Sequence, residues 1–380
     1  MGETPRPGAA PAEYCAGVGI TLNLQRARPA DVYVGRSALA ELMSVLHIMA
    51  EPDHHPEAQR WTHRLGTAIS PSLAHEMSAL SPLWARLRCR LLFPLGLPLD
   101  QPFEDELRHL AKLPLEEFVG LCSQGVLGFR EAVPPAHSLL TDPEAAERYV
   151  AQCERRSIRR GELAHELVAS PEGLRGRLLC FLDSCAEAFF ASEWRTVRDR
   201  LESGAARVRG DIRRRGLAEV LAGLSPTAVV SRGGARVRYD KLAVAEIEIG
   251  PRPLFLVPSV HVWPHLTVKD EESHPVVLQF AAQEDGTADQ LTQAELRARM
   301  SALASLGRME VCRHLLGEPI TTSELAQRMG LADTQVSRTL RQLRDAGLIE
   351  SEREGKYVYH RLATSTLLRL GQDVLATIMR

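Results

Sequence analysis

The 380 residues contain no apolar tract long enough to cross a bilayer. The nearest, Leu91-Leu92-Phe93-Pro94-Leu95-Gly96-Leu97, is short and broken by Pro94 and Gly96. The opening MGETPRPGAAPAEYCAG lacks the basic start and apolar stretch of a secretory signal. Residues 1–17 are therefore expected to form a disordered leader. The 7 cysteines are odd in number and scattered, with no CxxC pair. They offer no disulfide framework and fit free thiols in a reducing cytoplasm. GxGxxG, the Walker pattern and the GxSxG nucleophile elbow are all missing, which removes the common phosphate-cradling loops and the hydrolase signature. Lysine is nearly missing too: only Lys112, Lys241, Lys269 and Lys356 stand among 46 basic residues. What remains is ordinary for a soluble globular chain, with 44% hydrophobic and 25% charged residues, and its length suggests two or three domains.

Charge is uneven along the chain. Residues 291–380 hold 13 Arg plus Lys against 10 Asp plus Glu, a balance of +3 within a chain of net −2, so the remainder carries −5. This last stretch also has the clearest pattern. In EPITTSELAQRMGLADTQVSRTLRQLRDAGLIESEREGKYVYHRL, Thr321 and Glu324 have the spacing of a capping box. Leu325 and Met329 share one helical face, and Gly330 ends the helix. A second helix starts near Ala332 or Asp333, with Val336, Leu340 and Leu343 facing the core. Its other faces carry Thr334, Gln335, Ser337, Arg338, Arg341 and Arg344. Gln and Arg can make paired hydrogen bonds to base edges in a major groove. Gly347 stops this helix, and two strands follow around Arg353-Glu354-Gly355-Lys356, whose tip would bring Arg353 and Lys356 to phosphate or the minor groove. An isolated charged helix face is usually just solvated; the ordered combination of pieces points to a DNA reader.

LASLGRMEVCRHLLGEPITTSELAQRMGLADTQVSRTLRQLRDAGLIESEREGKYVYHRL resembles the ArsR-type winged helix over roughly the last quarter of the chain. That resemblance implies a dimeric bacterial transcription factor on a two-fold DNA operator, usually a repressor released by a signal. It places Thr334, Gln335, Ser337, Arg338 and Arg341 on the recognition helix, and Arg353 and Lys356 on the wing. The chain departs from metal-sensing members. SELAQRMG has no cysteine, and ATSTLLRLGQDVLATIMR offers Asp373 but no histidine, so no metal site is expected in the winged helix. Cys312, between Val311 and Leu315, reads as core. Dimerisation is expected from two apolar faces. Leu296, Met300 and Leu303 lie on the helix before the winged helix. Leu367, Leu370, Val374, Leu375 and Ile378 lie on the last one. Packing of these faces within one protomer is the alternative.

The first three-quarters divides into three zones. Residues 18–121 read as mostly helical, with a strand at Val32 and Val34, an N-cap at Ser37, and a buried face at Leu39, Leu42, Met43 and Leu46. Residues 142–224 read as long helices, with Leu178, Leu182, Phe189 and Trp194 lining a core. Residues 227–282 are β-rich between Gly, Pro and Asp breaks. SPLWARLRC, ASEWRTVRDRLES and LFLVPSVHVWPHLTV resemble an uncharacterised bacterial N-terminal domain fused to ArsR-type winged helices; this implies a regulatory role and carries no functional residues with it. Asp53-His54-His55, His63 and His75 form a loose set of possible metal ligands, but their irregular spacing favours surface histidines. His261 and His265, flanking Trp263, would share one face of an edge strand broken at Pro264, more in keeping with packing than with a pocket. Arg155-Arg156, Arg159-Arg160 and Arg213-Arg214-Arg215 read as solvated faces beside Glu154, Glu162 and Asp211.

The expectation is an α+β, mostly helical chain. Residues 18–283 would be a regulatory or sensor domain, β-rich at about 227–282. Residues 284–290 would be a linker, and residues 291–380 a winged-helix DNA-binding and dimerisation domain. It would act in the cytoplasm as a homodimeric DNA-binding regulator responding to a small molecule or partner protein, with no catalytic residues, metal, cofactor or membrane partner. An enzyme with a DNA-binding tail is the alternative.

Overall fold

Ser37 shows how closely local chemistry sets this fold. Its hydroxyl accepts the Ala40 backbone N–H at 3.1 Å and so starts helix α1 (Ala38–Ala50) directly after strand β2 (Val32–Val34). The computed structural model describes residues 19–378 apart from 53–54, 56–57, 68, 88, 129–132, 226–227, 242–243, 251, 264, 283–290, 317–318 and 356. The leader at 1–17, the linker at 284–290 and Lys356 lie outside the described residues. The chain divides into two compact units after Thr287.

In the N-terminal unit, β1 (Ile20–Asn23) and β2 precede a run of helices: α1, α2 (Gln59–Gly66), α3 (Pro71–Ala79), α4 (Phe103–Ala111), α5 (Leu115–Leu127), α6 (Ala136–Thr141), α7 (Pro143–Glu154), α8 (Ile158–Ala169) and α9 (Pro171–Cys185). A single π turn over Ala186–Phe190 joins α9 to the 25-residue α10 (Ala191–Arg215), and α11 (Leu217–Gly223) follows. The strands β3 (Val229–Val230), β4 (Arg236–Tyr239), β5 (Ala245–Glu248), β6 (Leu254–Ser259), β7 (Thr267–Lys269) and β8 (Val276–Ala281) complete it.

The β-rich zone is not a subdomain by itself. One sheet has the order β3-β4-β1-β5, with β1 antiparallel to β4 and parallel to β5. The other runs β2-β6-β8-β7, with β2, β6 and β8 mutually parallel. Both therefore need strands from the beginning of the chain, a long-range pairing that local pattern does not reveal. Strands β6 and β8 read as nearly continuous apolar runs because both faces of their sheet are covered. Alternation along them divides the interior in two. Phe255, Val257 and Val277 face the helical core with Leu42, Phe118, Leu178 and Phe181. Leu254, Leu256, Val276, Leu278 and Phe280 face Leu22, Val237, Tyr239, Ile247 and Leu221. Of the helical residues expected in the core, Leu39, Leu42, Met43, Leu46, Leu178, Leu182 and Phe189 are buried, and Trp194 packs half-buried beside them.

The structure also departs from the sequence pattern at His261, His265 and Arg160. His261 and His265 are not on an edge strand: β6 ends at Ser259 and lies inside its sheet, so both histidines occupy the loop beyond its carboxyl end. Arg160 is not simply solvated. It donates to the carbonyl oxygens of Gly125 and Val126, satisfying the last turn of α5. Arg213, Arg214 and Arg215 are exposed.

The C-terminal unit comprises α12 (Gln293–Leu303), α13 (Leu306–His314), β9 (Ile320–Thr321), α14 (Thr322–Met329), α15 (Asp333–Asp345), β10 (Ile349–Glu354), β11 (Tyr357–Leu362) and α16 (Thr364–Ile378). Val311, Cys312, Leu315, Ile320, Leu325, Val336, Leu340, Leu343, Leu348 and Ile349 form its core. The hairpin gains a third strand that the sequence pattern did not show, since β9 pairs with Tyr359 and His360 of β11.

Candidate nucleic-acid interface

Helix α15 has two distinct sides. Val336, Leu340 and Leu343 are buried, which fixes its rotation about its own axis. Thr334, Gln335, Ser337, Arg338 and Arg341 are consequently exposed on the other faces. Thr322, Asp333, Thr334, Ser337, Arg338 and Arg341 line an open groove of about 460 Å³. Helix α14 supports it from behind. Thr321 Oγ1 accepts the Glu324 N–H at 3.3 Å, and Gly330 ends the helix at φ 66°. The expected reciprocal box is replaced by an ion pair: the Glu324 carboxylate takes Arg328 at 2.6 Å, one turn on. Ser323 bridges to Asp333 at 2.9 Å, holding the start of α15 against α14.

The wing is positioned by a residue that the sequence pattern did not single out. His360 is buried; its Nδ1 lies 2.8 Å from Ser351 Oγ across the hairpin, and its Nε2 lies 3.1 Å from Thr322 Oγ1 on α14. Burial and the positive charge of Arg344 both push its pKa below the ordinary histidine value. The only prior signal was its alternation with Tyr359 and Arg361. Arg353 is exposed near the turn at Gly355, where φ is 61°. The structure thus brings the α15 residues onto one side of one helix and places Arg353 at a separate projecting tip.

The expected dimerisation residues divide. Leu296 is buried within the chain, and Leu303 and Leu367 pack against the core of the C-terminal unit. Leu370 and Val374 are half-buried. Met300, Leu368, Leu375 and Ile378 remain exposed. Arg299 ties these helices to α15: its Nε donates to Ala346 O at the end of α15 (3.1 Å), and its Nη1 pairs with Asp373 on α16 (3.2 Å).

Of the histidines in the N-terminal sequence, His63 and His75 are exposed as surface histidines, whereas His55 is not: it is buried with His47, and both lie beside the half-buried His265. Asp53 and His54 lie outside the described residues.

Residues 18–286 match the model of a family of unknown function, DUF5937, and residues 303–352 match a helix-turn-helix domain. The chain is similar to the HTH-type transcriptional regulator NmtR of Mycobacterium tuberculosis, 28% identical over 87 residues that cover 23% of this chain and 72% of that protein. Among solved structures it is similar to an ArsR-like transcriptional regulator from Rhodococcus, with 27% identity, 22% of this chain, 79% of that one and a TM-score of 0.21. It is also similar to a homodimeric winged helix-turn-helix DNA-binding domain from Mycobacterium bovis, with 26% identity, 24% of this chain, 88% of that one and a TM-score of 0.20.

Proposed function

We infer that this chain, which belongs to the DUF5937 family of unknown function and ends in an ArsR-type helix-turn-helix domain, is a DNA-binding transcriptional regulator that represses as a homodimer and is governed by its N-terminal unit. The observation that carries this reading is the exposed face of α15, with Thr334, Gln335, Ser337, Arg338 and Arg341 set above a fully apolar buried face. Gln335, Arg338 and Arg341 supply base-edge and phosphate contacts, and Arg353 a backbone contact from the wing. Met300, Leu368, Leu375 and Ile378 form the self-complementary apolar surface of the dimer. The dimer sets two recognition helices about one helical turn of DNA apart. Arg299 makes that spacing sensitive to the dimer helices, because it touches α15 and α16 together. The N-terminal unit acts as a sensor, not a catalyst. An effector that favours one dimer geometry shifts DNA affinity by its differential binding to the two states.

The test is fluorescence anisotropy of the full chain on the DNA upstream of its own gene, across a salt series. Sequence-preferring binding with a steep salt slope is expected. The Arg338→Ala/Arg341→Ala chain should lose about 1–3 kcal/mol per base-reading arginine, or about one unit of slope per phosphate contact. Equal affinity for random DNA, or an unaffected double variant, would overturn the assignment of α15.

A further inference from the structure

We propose that the N-terminal unit binds one transition-metal dication, zinc first among them, between His47, His55 and His265. The proposal is independent of the DNA-binding reading and concerns a different unit of the chain.

The three histidines come from separate segments. His47 is on the last turn of α1, His55 is in the segment after it, and His265 is in the loop beyond the carboxyl end of β6. His47 and His55 are 3% and 1% exposed. Each histidine offers a ring nitrogen within 4.8 Å of the other two. The rings stand nearly perpendicular in every pair, at 71–88°, with centroids 5.0–5.4 Å apart. His47 Nε2 and His265 Nε2 are 3.1 Å apart. Zn–N bonds of about 2.0–2.1 Å in a tetrahedron require ligand nitrogens about 3.3 Å apart. The His47–His265 pair is already close to that spacing, and a ring nitrogen of His55 lies within 4.8 Å of both.

The surroundings are those of a prepared ligand set. His47 Nδ1 lies 3.2 Å from the Trp84 carbonyl oxygen. A carbonyl only accepts, so Nδ1 carries the hydrogen and the Nε2 lone pair of the neutral ring is turned to His265. Such an outer carbonyl is what orients metal-bound imidazoles. The loop bearing His265 is also anchored to the helix bearing His47. Glu41 Oε1, on α1, accepts Val260 N–H at 3.0 Å and lies 2.7 Å from His261 Nδ1. Ser259 Oγ accepts the N–H groups of His261 and Val262. Gln279 Nε2 on β8 donates to Ala40 O and Ser44 Oγ of α1. Glu41, Ser44 and His47 thus form a polar stripe on an otherwise apolar buried helix, aimed at the carboxyl end of a parallel strand. In open parallel sheets, that end is where ligands are held.

Donor chemistry selects the ion. Three imidazoles and no carboxylate among the donors disfavour calcium and magnesium and suit zinc, nickel, cobalt or copper. Three protein ligands leave a fourth position open to water or to an anionic group of a small molecule.

The test uses the full-length chain, stripped with chelator and dialysed, then titrated calorimetrically with zinc and spectrophotometrically with cobalt(II). One zinc per chain is expected, together with the intense visible bands of four-coordinate cobalt. His55→Gln and His265→Gln should each lower zinc affinity by roughly 100-fold or more, beyond the loss of an outer-shell partner. His75→Gln, altering an exposed histidine elsewhere, should change nothing. Absence of stoichiometric uptake would overturn the proposal, as would uptake undiminished in both variants with native circular dichroism. If either variant fails to fold, the cobalt spectrum of the unaltered chain decides: four-coordinate bands support the site, and weak six-coordinate bands or none refute it. None of these readouts requires DNA, so failure here leaves the regulator reading standing, and the reverse.

Discussion

In the N-terminal unit, His261 lies between two carboxylates, 2.7 Å from Glu41 and 3.2 Å from Glu193. In the C-terminal unit, His360 lies between two hydroxyls, Ser351 and Thr322. Burial opposes the charged ring at His261, yet hydrogen bonds to Glu193 and Glu41 and their negative charge outweigh it and lift the pKa to about 9. At His360 burial is reinforced by Arg344, and the pKa falls. The difference extends beyond two residues. The N-terminal unit buries Glu41, Ser44, His47, His55, Arg90, Ser259, Lys269 and Gln279, whereas His360 is the buried polar residue among the described residues of the C-terminal unit. One unit keeps its chemistry inside and the other presents it outside. This is the arrangement expected if the first holds a small ligand and the second grips a surface.

The largest effect expected from breaking this contrast is at Glu41. Glu41→Ala leaves His261 and the Val260 N–H without their shared acceptor in a buried setting, and should cost about 3–5 kcal/mol. All four tryptophans, Trp61, Trp84, Trp194 and Trp263, precede residue 288, so tryptophan fluorescence in a urea titration reads the N-terminal unit alone. An unchanged midpoint would mean that the carboxylate is dispensable. The next effect is on pH. Because the folded His261 binds its proton more tightly than the unfolded chain does, its contribution is complete below about pH 6.5. It is lost as pH rises through about 9. The same tryptophan-monitored midpoint should decline over that window, by up to roughly 3 kcal/mol, and His261→Gln should flatten the decline.

A smaller change is expected in the C-terminal unit. Arg299→Ala removes a donor from Ala346 O and a partner from Asp373, at a cost of about 1–3 kcal/mol. Faster amide exchange at the end of α15 would register it, and unchanged exchange there would exclude Arg299 as the tie. The finest distinction is the sign at His360. Its depressed pKa makes its contribution complete above pH 6.5 and lost as pH falls through the lowered folded value. Exchange across residues 320–362, corrected for intrinsic rates, should therefore loosen toward acid, opposite to the His261 effect, and His360→Gln should remove the trend.

Most of the C-terminal unit was legible in the sequence because its information is local. Gly330 and Gly347 sit at positive φ where the helices stop, and Val336, Leu340 and Leu343 recur at the spacing that turns them inward together. The polar residues named on α15 are exposed for the same reason. The apolar faces of α12 and α16 were less legible, since helical periodicity identifies such a face without saying whether it meets the chain's own core, as Leu296 and Leu367 do. In the N-terminal unit Ser37 and the face behind it were clear, but the histidine cluster was not. His47 hides in an apolar run, LHIM, and its contact with His265 joins residues 218 positions apart. Position-by-position reading found His55, His261 and His265 individually and had no means of bringing His47 to them.

The strands at the start of the chain have a consequence for synthesis. Asn23 pairs with Arg236 and Glu248, and Val34 with Leu256. As the polypeptide leaves the ribosome, β1 and β2 must wait for more than half of the chain before their partners emerge. Helices α1–α11 appear in the interval and can collapse with one another, while both early strand edges stay unsatisfied. Closing such distant pairings is intrinsically slow and leaves edges open to wrong partners. The N-terminal unit should therefore be the part whose yield depends on chaperones and growth temperature. The C-terminal unit, built from neighbours in sequence, can assemble almost as soon as it is made.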